Sequence, residues 1–259
     1  MYATNYFETV ILNIMKGITL TAPSQVFIGL YINNPTETGT AGVELSYSGY
    51  SRMPITFTAP AAESGGIGIK NDTQITFPTS NINAGTVTYI GIHDSKVAGN
   101  MLAYGKLTEE LVINENEAPV LLPEEVVYYF NQNLSKSFKT KILNVFRGQN
   151  INGVNPHFAL FNGNPDEGGA ELSGANYARV PLTFSNPKEA ESGQMESSNT
   201  NQVNFNRPTT AWGTWNYSAI YSQASNGEAL WVNAKTPGKE IKKGYMPTIA
   251  EGAIKVAIN

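Results

Sequence analysis

The sequence has no cysteine among its 259 residues, and only 15% of its residues are charged. Without cysteine the chain has no disulfide framework, no thiolate-ligated zinc or iron–sulfur site and no cysteine nucleophile. Acidic and basic residues nearly balance, with a formal net charge of -4, and lysine and arginine form no block. Because clustered cations bind phosphate backbones, this composition argues against nucleic acid as a partner.

Long apolar runs are missing near the N-terminus, and histidine is scarce. The longest apolar run there covers only residues 10–12, whereas a membrane span needs roughly 20 residues. No signal-peptide pattern precedes it, so we expect synthesis in a cytoplasm and no membrane insertion. The two histidines, His93 and His157, offer no metal-binding spacing, and His93 is predicted to be a half-exposed residue at a strand end. No motif for catalysis, a metal or a cofactor is found.

What the chain does contain is an internal repeat. Three pairs of segments show it best: ILNIMKG (11–17) and ILNVFRG (142–148), GYSRMPITF (49–57) and NYARVPLTF (176–184), GTVTY (85–89) and GTWNY (213–217). Their order is kept at an offset of 127 to 131 residues. The sequence therefore predicts a tandem duplication, with repeat one at 1–131 and repeat two at 132–259.

Each repeat is predicted to open with a short helix and to continue as strands. Apolar residues recur at helical spacing over 6–16, Asn5 and Glu8 fit an N-terminal capping pair, and Gly17 fits the end. Runs rich in β-branched and aromatic residues then predict strands at 26–32, 50–57, 73–77, 86–93, 101–107 and 126–130. No crossover helix separates them, which favours antiparallel pairing. We predict a mainly β protein of two tandem antiparallel β-sandwich domains, each headed by one short amphipathic α-helix.

A glutamate, a tyrosine and an arginine recur in both repeats at similar spacing. Tyr50 and Arg52 lie two residues apart, so that on a strand both side chains share one face, and Glu44 lies eight residues before Arg52. The equivalent residues of repeat two are Glu171, Tyr177 and Arg179. Because a buried guanidinium needs carboxylate or carbonyl partners, we interpret the two trios as structural clamps. The alternative is a ligand-binding role.

All three tryptophans lie in repeat two, and two of them stand where repeat one has a valine and an alanine. Large aromatic faces beside neutral amides suit sugar binding, but tryptophan also fills cores and domain interfaces. Core packing is the favoured interpretation, and a glycan or receptor patch is the alternative. The candidate ligand or subunit contacts are Trp212, Trp215, Tyr217, Tyr221 and Trp231.

The residues together resemble a small domain found in the tail fibre proteins of many tailed bacteriophages. The resemblance rests on a helix at 6–16, VFIGLY (26–31), GYSR (49–52) and GTVTYIGIHD (85–94). Repeat two keeps the Trp-Gly pair of that family within AWGTW (211–215). Repeat one has Ala84 at the position of that tryptophan, and repeat two has Ser222 in place of Asp94. The resemblance implies a virion structural protein without enzymatic activity, cofactor or catalytic residues.

Three functions follow from these observations. The first is a tail or baseplate fibre-type protein, assembled with other virion subunits and itself a homo-oligomer, that presents repeat two to a host cell-surface glycan. The second is a capsid-surface decoration or head-fibre protein of the same fold. The third, a tail-associated polysaccharide hydrolase, needs two carboxylates about 5 to 10 Å apart. Glu109-Glu110 and Glu124-Glu125 are adjacent pairs that do not recur in repeat two, so we interpret them as solvent-exposed charges.

Overall fold

The computed structural model describes residues 1–63, 66–130 and 133–258. Within them the chain is mainly β, its strands pair antiparallel, and two α-helices occur, one near the start of each repeat. The predicted fold class is confirmed. The predicted boundary between residues 131 and 132 lies outside the described residues and stays a prediction.

The described residues of repeat one form three sheets, of five, three and two strands. Their orders are β1-β8-β7-β2-β3, β10-β5-β4 and β6-β9. The elements are β1 (Tyr2–Ala3), α1 (Asn5–Ile14), β2 (Val26–Tyr31), β3 (Met53–Ile55), β4 (Ala61–Glu63), β5 (Gly66–Lys70), β6 (Ile75–Thr76), β7 (Gly85–His93), β8 (Met101–Ile113), β9 (Val120–Leu121) and β10 (Val127–Phe130).

Repeat two reproduces these sheets with small differences. Their orders are β12-β11-β16-β17, β13-β14-β19 and β15-β18, and a single bridge from Leu134 to Trp231 stands where β1 pairs with β8 in repeat one. The elements are α2 (Lys136–Val145), β11 (His157–Phe161), a 3-10 helix (Pro165–Glu167), β12 (Val180–Pro181), β13 (Lys188–Glu189), β14 (Met195–Ser198), β15 (Val203–Asn204), β16 (Gly213–Tyr221), β17 (Ala229–Ile241), β18 (Thr248–Ile249) and β19 (Lys255–Ala257).

The cap of α1 differs from the prediction. The N-cap is Thr4, which has an extended backbone and whose side chain accepts the N–H of Phe7 at 3.4 Å, while Asn5 is already helical. Ser135 caps α2 in the same way. Glu8 does not complete a capping pair, because its carboxylate accepts the backbone N–H of Met195 in repeat two at 2.7 Å. The predicted capping pair of Asn5 and Glu8 was wrong because Glu8 forms a tertiary hydrogen bond with repeat two instead.

Each helix packs against both repeats. Helix α1 contacts β8 of its own repeat and β14 of repeat two, whereas α2 contacts β17 of its own repeat and β5 of repeat one. Phe146, directly after α2, lies in a cluster of aromatic rings from repeat one. One continuous hydrophobic cluster contains buried residues of both repeats. The two repeats therefore share a core, which the sequence pattern alone does not reveal.

A local two-fold relation joins the repeats at equivalent residues. The N–H of Leu20 donates to the carbonyl of Ile151 at 2.8 Å, and the N–H of Ile151 donates back to Leu20 at 3.0 Å. The two residues are 131 positions apart, the same offset as that between the helices. Reciprocal bonds between equivalent residues are the signature of an isologous contact, here between two halves of one chain.

Glu8 is a buried carboxyl at this junction between repeats, with 1% of its surface exposed. Burial raises its pKa to about 8, the Met195 N–H opposes the shift, and repulsion from Glu37 and Glu189 adds to it. At pH values between 4.5 and about 8, the folded protein therefore keeps a proton on Glu8 that the unfolded chain has released. The contribution of protonated Glu8 to stability is therefore fully present below the unfolded pKa near 4.5 and is lost as the pH rises to the folded pKa of about 8.

We expect Glu8→Gln to remove this loss of stability with rising pH. At pH 8 the variant should be more stable than the parent chain by roughly 2–4 kcal/mol, since a neutral amide needs no proton to stay buried. Urea unfolding at several pH values between 5 and 8 measures the effect. Glu191→Gln, at an exposed position, is the control and should leave the pH dependence unchanged. A parent chain equally stable at pH 5 and pH 8 would contradict the assignment.

Candidate functional site

In repeat one, Arg52 binds Glu44 through two hydrogen bonds. Its Nε donates to Oε1 at 2.9 Å and its Nη2 donates to Oε2 at 2.8 Å. Glu44 is held beside the main sheet by a bridge to Tyr31 in β2. The side chains of Arg52 and Glu44 are 12% and 27% exposed, so the pair is largely removed from water. This paired geometry fixes both side chains more tightly than a single ion-pair contact would.

The remaining guanidinium nitrogen of Arg52 reaches the tip of the β7–β8 hairpin. Its Nη1 donates to the carbonyl of Ser95 at 3.2 Å and to that of Ala98 at 2.6 Å. The hairpin tip is also closed internally, since Asp94 accepts the N–H of Asn100 at 2.8 Å. One arginine thus ties the segment around Glu44 to the tip of a hairpin more than forty residues later.

Repeat two has the same contacts at Arg179. Its Nε and Nη2 donate to Glu171 at 3.0 and 2.8 Å, and its Nη1 donates to the carbonyls of Gln223 and Asn226 at 3.0 and 2.6 Å. The Arg179 side chain is only 9% exposed. The two guanidinium groups therefore bind equivalent partners, although the hairpin tips have different sequences, and Nε of Arg179 also donates to the second carboxylate oxygen of Glu171 at 3.2 Å.

The tyrosine of each trio links its glutamate to a strand. Tyr50 accepts the N–H of Leu30 at 2.9 Å and donates to Glu44 at 3.3 Å. Tyr177 accepts the N–H of Leu160 at 3.0 Å and donates to Glu171 at 2.9 Å. Burial raises the pKa of both hydroxyls, so each remains protonated and able to donate. The structure thus brings together all three members of each predicted trio.

Beside each clamp the two repeats differ. In repeat one, the hydroxyl of Tyr31 lies 2.9 Å from Nε2 of His93, and the two rings stack. In repeat two, Phe161 stacks on Tyr221, and the guanidinium of Arg179 lies 3.7 Å above the Tyr221 ring. A cation over an aromatic face is favourable. In repeat one, the neutral hydrogen bond between Tyr31 and His93 is found at the equivalent position instead.

His93 is not half-exposed, as the sequence predicted, but 3% exposed. Burial, together with repulsion from Arg52, lowers its pKa to about 3, so the imidazole is neutral at ordinary pH. His93 is the last residue of β7, as predicted, but the stacked Tyr31 ring covers it.

The three tryptophans lie inside the chain. Trp212, Trp215 and Trp231 are 4%, 7% and 8% exposed. The indole N–H of Trp212 donates to the carbonyl of Ala175 at 3.1 Å, and that of Trp215 donates to Ser218 at 3.0 Å. These contacts suit the packing interpretation, and only the rims of the indoles reach solvent. A ligand or subunit contact by these residues stays a prediction.

Two grooves of repeat two retain an accessible aromatic edge. Tyr217, which is half-buried, borders a groove of about 340 Å³, and the edge of Trp231 borders another of about 380 Å³. Asn133 and Asn233 line both grooves, so the two adjoin. We call them the paired grooves. The amides were not singled out from the sequence, because asparagine is too frequent to mark a site. Tyr221 does not line either groove but stacks on Phe161.

The part of the chain that the structure describes holds neither a metal-binding cluster nor a membrane-spanning helix. No group of three or more histidine, aspartate or glutamate residues there is placed to hold a metal ion. No described helix has the length and apolar character required for a membrane span.

Both repeats match the same known protein family. A family model described as "Podophage GP4 fiber I protein gp80" matches residues 2–127 and 133–257. The chain belongs to this fibre protein family. Because one family model matches twice in tandem, the predicted duplication and the resemblance to phage fibre proteins are both confirmed. No curated protein matches the sequence.

Membership of the fibre family makes the chain a phage virion structural protein. Such a protein associates with other virion components. The family is a structural one, which agrees with the predicted lack of enzymatic activity. The family match gives no role to individual residues, so the clamps and the paired grooves rest on their geometry alone.

Proposed function

We propose that this fibre protein is a tail or baseplate subunit that assembles with other virion subunits and attaches to a glycan of the host surface. The observation that carries the proposal is the match of one phage fibre family to both repeats. The repeats share a core, so the chain would act as one rigid unit rather than two hinged modules. Capsid-surface decoration, the second candidate, needs the same fold and differs in the place it occupies on the particle.

In this proposal the clamps are structural. Each guanidinium is saturated by a carboxylate and two backbone carbonyls, which leaves a ligand little to bind. Their role is to hold the hairpin tips at Ser95 and Gln223 in fixed positions. Loops held in this way on a rigid scaffold are suited to recognition, and a virion subunit needs surfaces of constant shape.

The proposed glycan site is the pair of grooves in repeat two. Sugars offer apolar C–H faces, which pack on aromatic rings, and hydroxyls, which bond to amides. Tyr217 and Trp231 supply the aromatic edges, and Asn133 and Asn233 supply the amides. Among the described residues that line the two grooves, Asp166 is the one acidic residue, and its carboxylate accepts the N–H of Lys136. Neither groove therefore combines the two carboxylates of a hydrolase with these groups.

Binding of the purified protein to host cells tests the attachment proposal. Asn233→Ala, which removes an amide shared by both grooves, should weaken binding about tenfold, the loss expected for hydrogen bonds to a neutral ligand. Tyr217→Ala should weaken it further. The matched control is Tyr89→Ala, the equivalent position of repeat one. Binding that survives both repeat-two variants, or is lost equally in the control, would contradict the proposed site.

A further inference from the structure

Equivalent ends of the two repeats carry opposite charge. Residues 101–125, which cover β8, β9 and the turns beside them, contain six glutamates and one lysine. The equivalent residues 229–253 contain four lysines and two glutamates. We call the two surfaces the acidic face and the basic face. All six glutamates of the acidic face are exposed; they are Glu109, Glu110, Glu115, Glu117, Glu124 and Glu125.

The charge difference extends into a groove of the acidic face. This groove, of about 670 Å³, lies between the outer half of β8 and the chain from 120 to 127. Leu107 and Leu111 line it, beside Glu109. The equivalents of the two leucines in repeat two are Lys235 and Lys239. Divergence after duplication has therefore placed two cations where the first repeat has apolar groove walls.

Both faces also expose large apolar side chains. Val112 and Leu122 of the acidic face are 61% and 50% exposed. Tyr245 and Met246 of the basic face are 38% and 47% exposed. Apolar side chains rimmed by charges of one sign are typical of protein interaction surfaces. Each face therefore combines exposed apolar side chains with exposed charges, as protein interfaces do.

Few of these charges are neutralised within the chain. Among the described residues, Glu109, Glu110 and Glu115 form no ion pair, and Glu124 lies 3.7 Å from Lys70. On the basic face, Lys242 pairs with its neighbour Glu240, and Lys239 lies 4.0 Å above the ring of Tyr245. Among the described residues, no glutamate of the acidic face forms an ion pair with a lysine of the basic face.

We propose that the acidic face of one chain docks on the basic face of a second copy of the same chain. The contact is head to tail, so successive copies form a ring if the rotation closes and a filament if it does not. Charge complementarity sets the pairing, since like faces repel, and the exposed apolar side chains are buried between them. This contact rests on the proposed assembly role, for which it specifies a second copy of the chain as the partner and the acidic and basic faces as the two surfaces.

Sedimentation velocity of the purified full chain tests the contact. At 50 mM salt we expect species larger than a monomer, and at 500 mM salt the dissociation constant should rise by about tenfold or more, as screening weakens charge pairing. A chain that stays monomeric at concentrations of about 100 μM and low salt would overturn the proposal. That result would leave the position of the chain in the virion, and thus the proposed function, untouched.

Charge reversal makes the test specific. Glu109→Lys with Glu124→Lys should abolish self-association, and so should Lys235→Glu with Lys239→Glu. A mixture of the two double variants should associate again, because one retains the native acidic face and the other the native basic face. Glu191→Lys, on another exposed surface, is the control and should behave as the parent chain. Unchanged association of both variants, or a mixture of folded variants that stays monomeric, would contradict the assignment of the faces.

Discussion

Arg179→Ala is expected to lower the free energy of unfolding by about 3 kcal/mol. The substitution leaves the carboxylate of Glu171, 26% exposed, without its cation and leaves the carbonyls of Gln223 and Asn226 without their donor. Breaking a fully buried ion pair costs about 3–5 kcal/mol, and the partial exposure of Glu171 places this site at the lower end. It also removes the cation that packs on Tyr221. Urea unfolding measures the loss.

Two further variants serve as comparisons for Arg179→Ala. Arg179→Lys keeps the charge but cannot reproduce the paired hydrogen bonds and the contact with two carbonyls, so we expect about half of the loss. Arg207→Ala is the control, since Arg207 is exposed and outside the clamp, and it should change stability by less than about 0.5 kcal/mol. Equal effects of Arg179→Ala and Arg207→Ala would show that the clamp does not stabilise the fold.

Phe146→Ala should destabilise the protein by about 4 kcal/mol, the largest effect that we expect from one substitution. Phe146 follows the helix of repeat two, yet its ring lies 5.2, 5.9 and 5.3 Å from the rings of Phe7, Phe57 and Tyr128 in repeat one. Removing it leaves a cavity in repeat one and loses three edge-to-face aromatic contacts. Met15, the equivalent residue of repeat one, is also buried but has no aromatic ring. Met15→Ala should therefore destabilise the protein less than Phe146→Ala.

The same variant shows whether the repeats unfold together. Tryptophan fluorescence reports repeat two alone, because all tryptophans lie there, whereas circular dichroism reports both repeats. With a shared core the two signals should have one midpoint in the parent chain, and the midpoints should move together in Phe146→Ala. Separate transitions, with only one moved by the substitution, would mean that the repeats fold independently.

Much of the fold could be predicted because it depends on local pattern. The alternation within 86–93 gave β7 to within one residue, and Gly17 and Gly148 end their helices with φ of 82° and 80°. The strand predicted at 101–107 extends to Ile113, since its outer half is polar and pairs only because β7 provides a partner. The exchange of helix contacts between repeats could not be predicted, because it depends on residues far apart in sequence.

The clamps were predictable for a similar reason. The spacing of Tyr50, Arg52 and Glu44 indicated that they share a site, and a buried arginine must be paired. The carbonyls of Ser95 and Ala98 carry no sequence signal, since any residue supplies a carbonyl. The aromatic residues were harder, because an enrichment in tryptophan indicates burial as well as binding.

Cryo-electron microscopy of the purified virion tests the central claim most directly, since it shows where this fibre protein sits and which repeat faces outward. The account predicts density for the chain at the tail or baseplate, with the paired grooves of repeat two accessible from outside. Density on the head lattice would contradict the tail position and favour capsid decoration. Absence of the chain from the particle would contradict its role in the virion altogether.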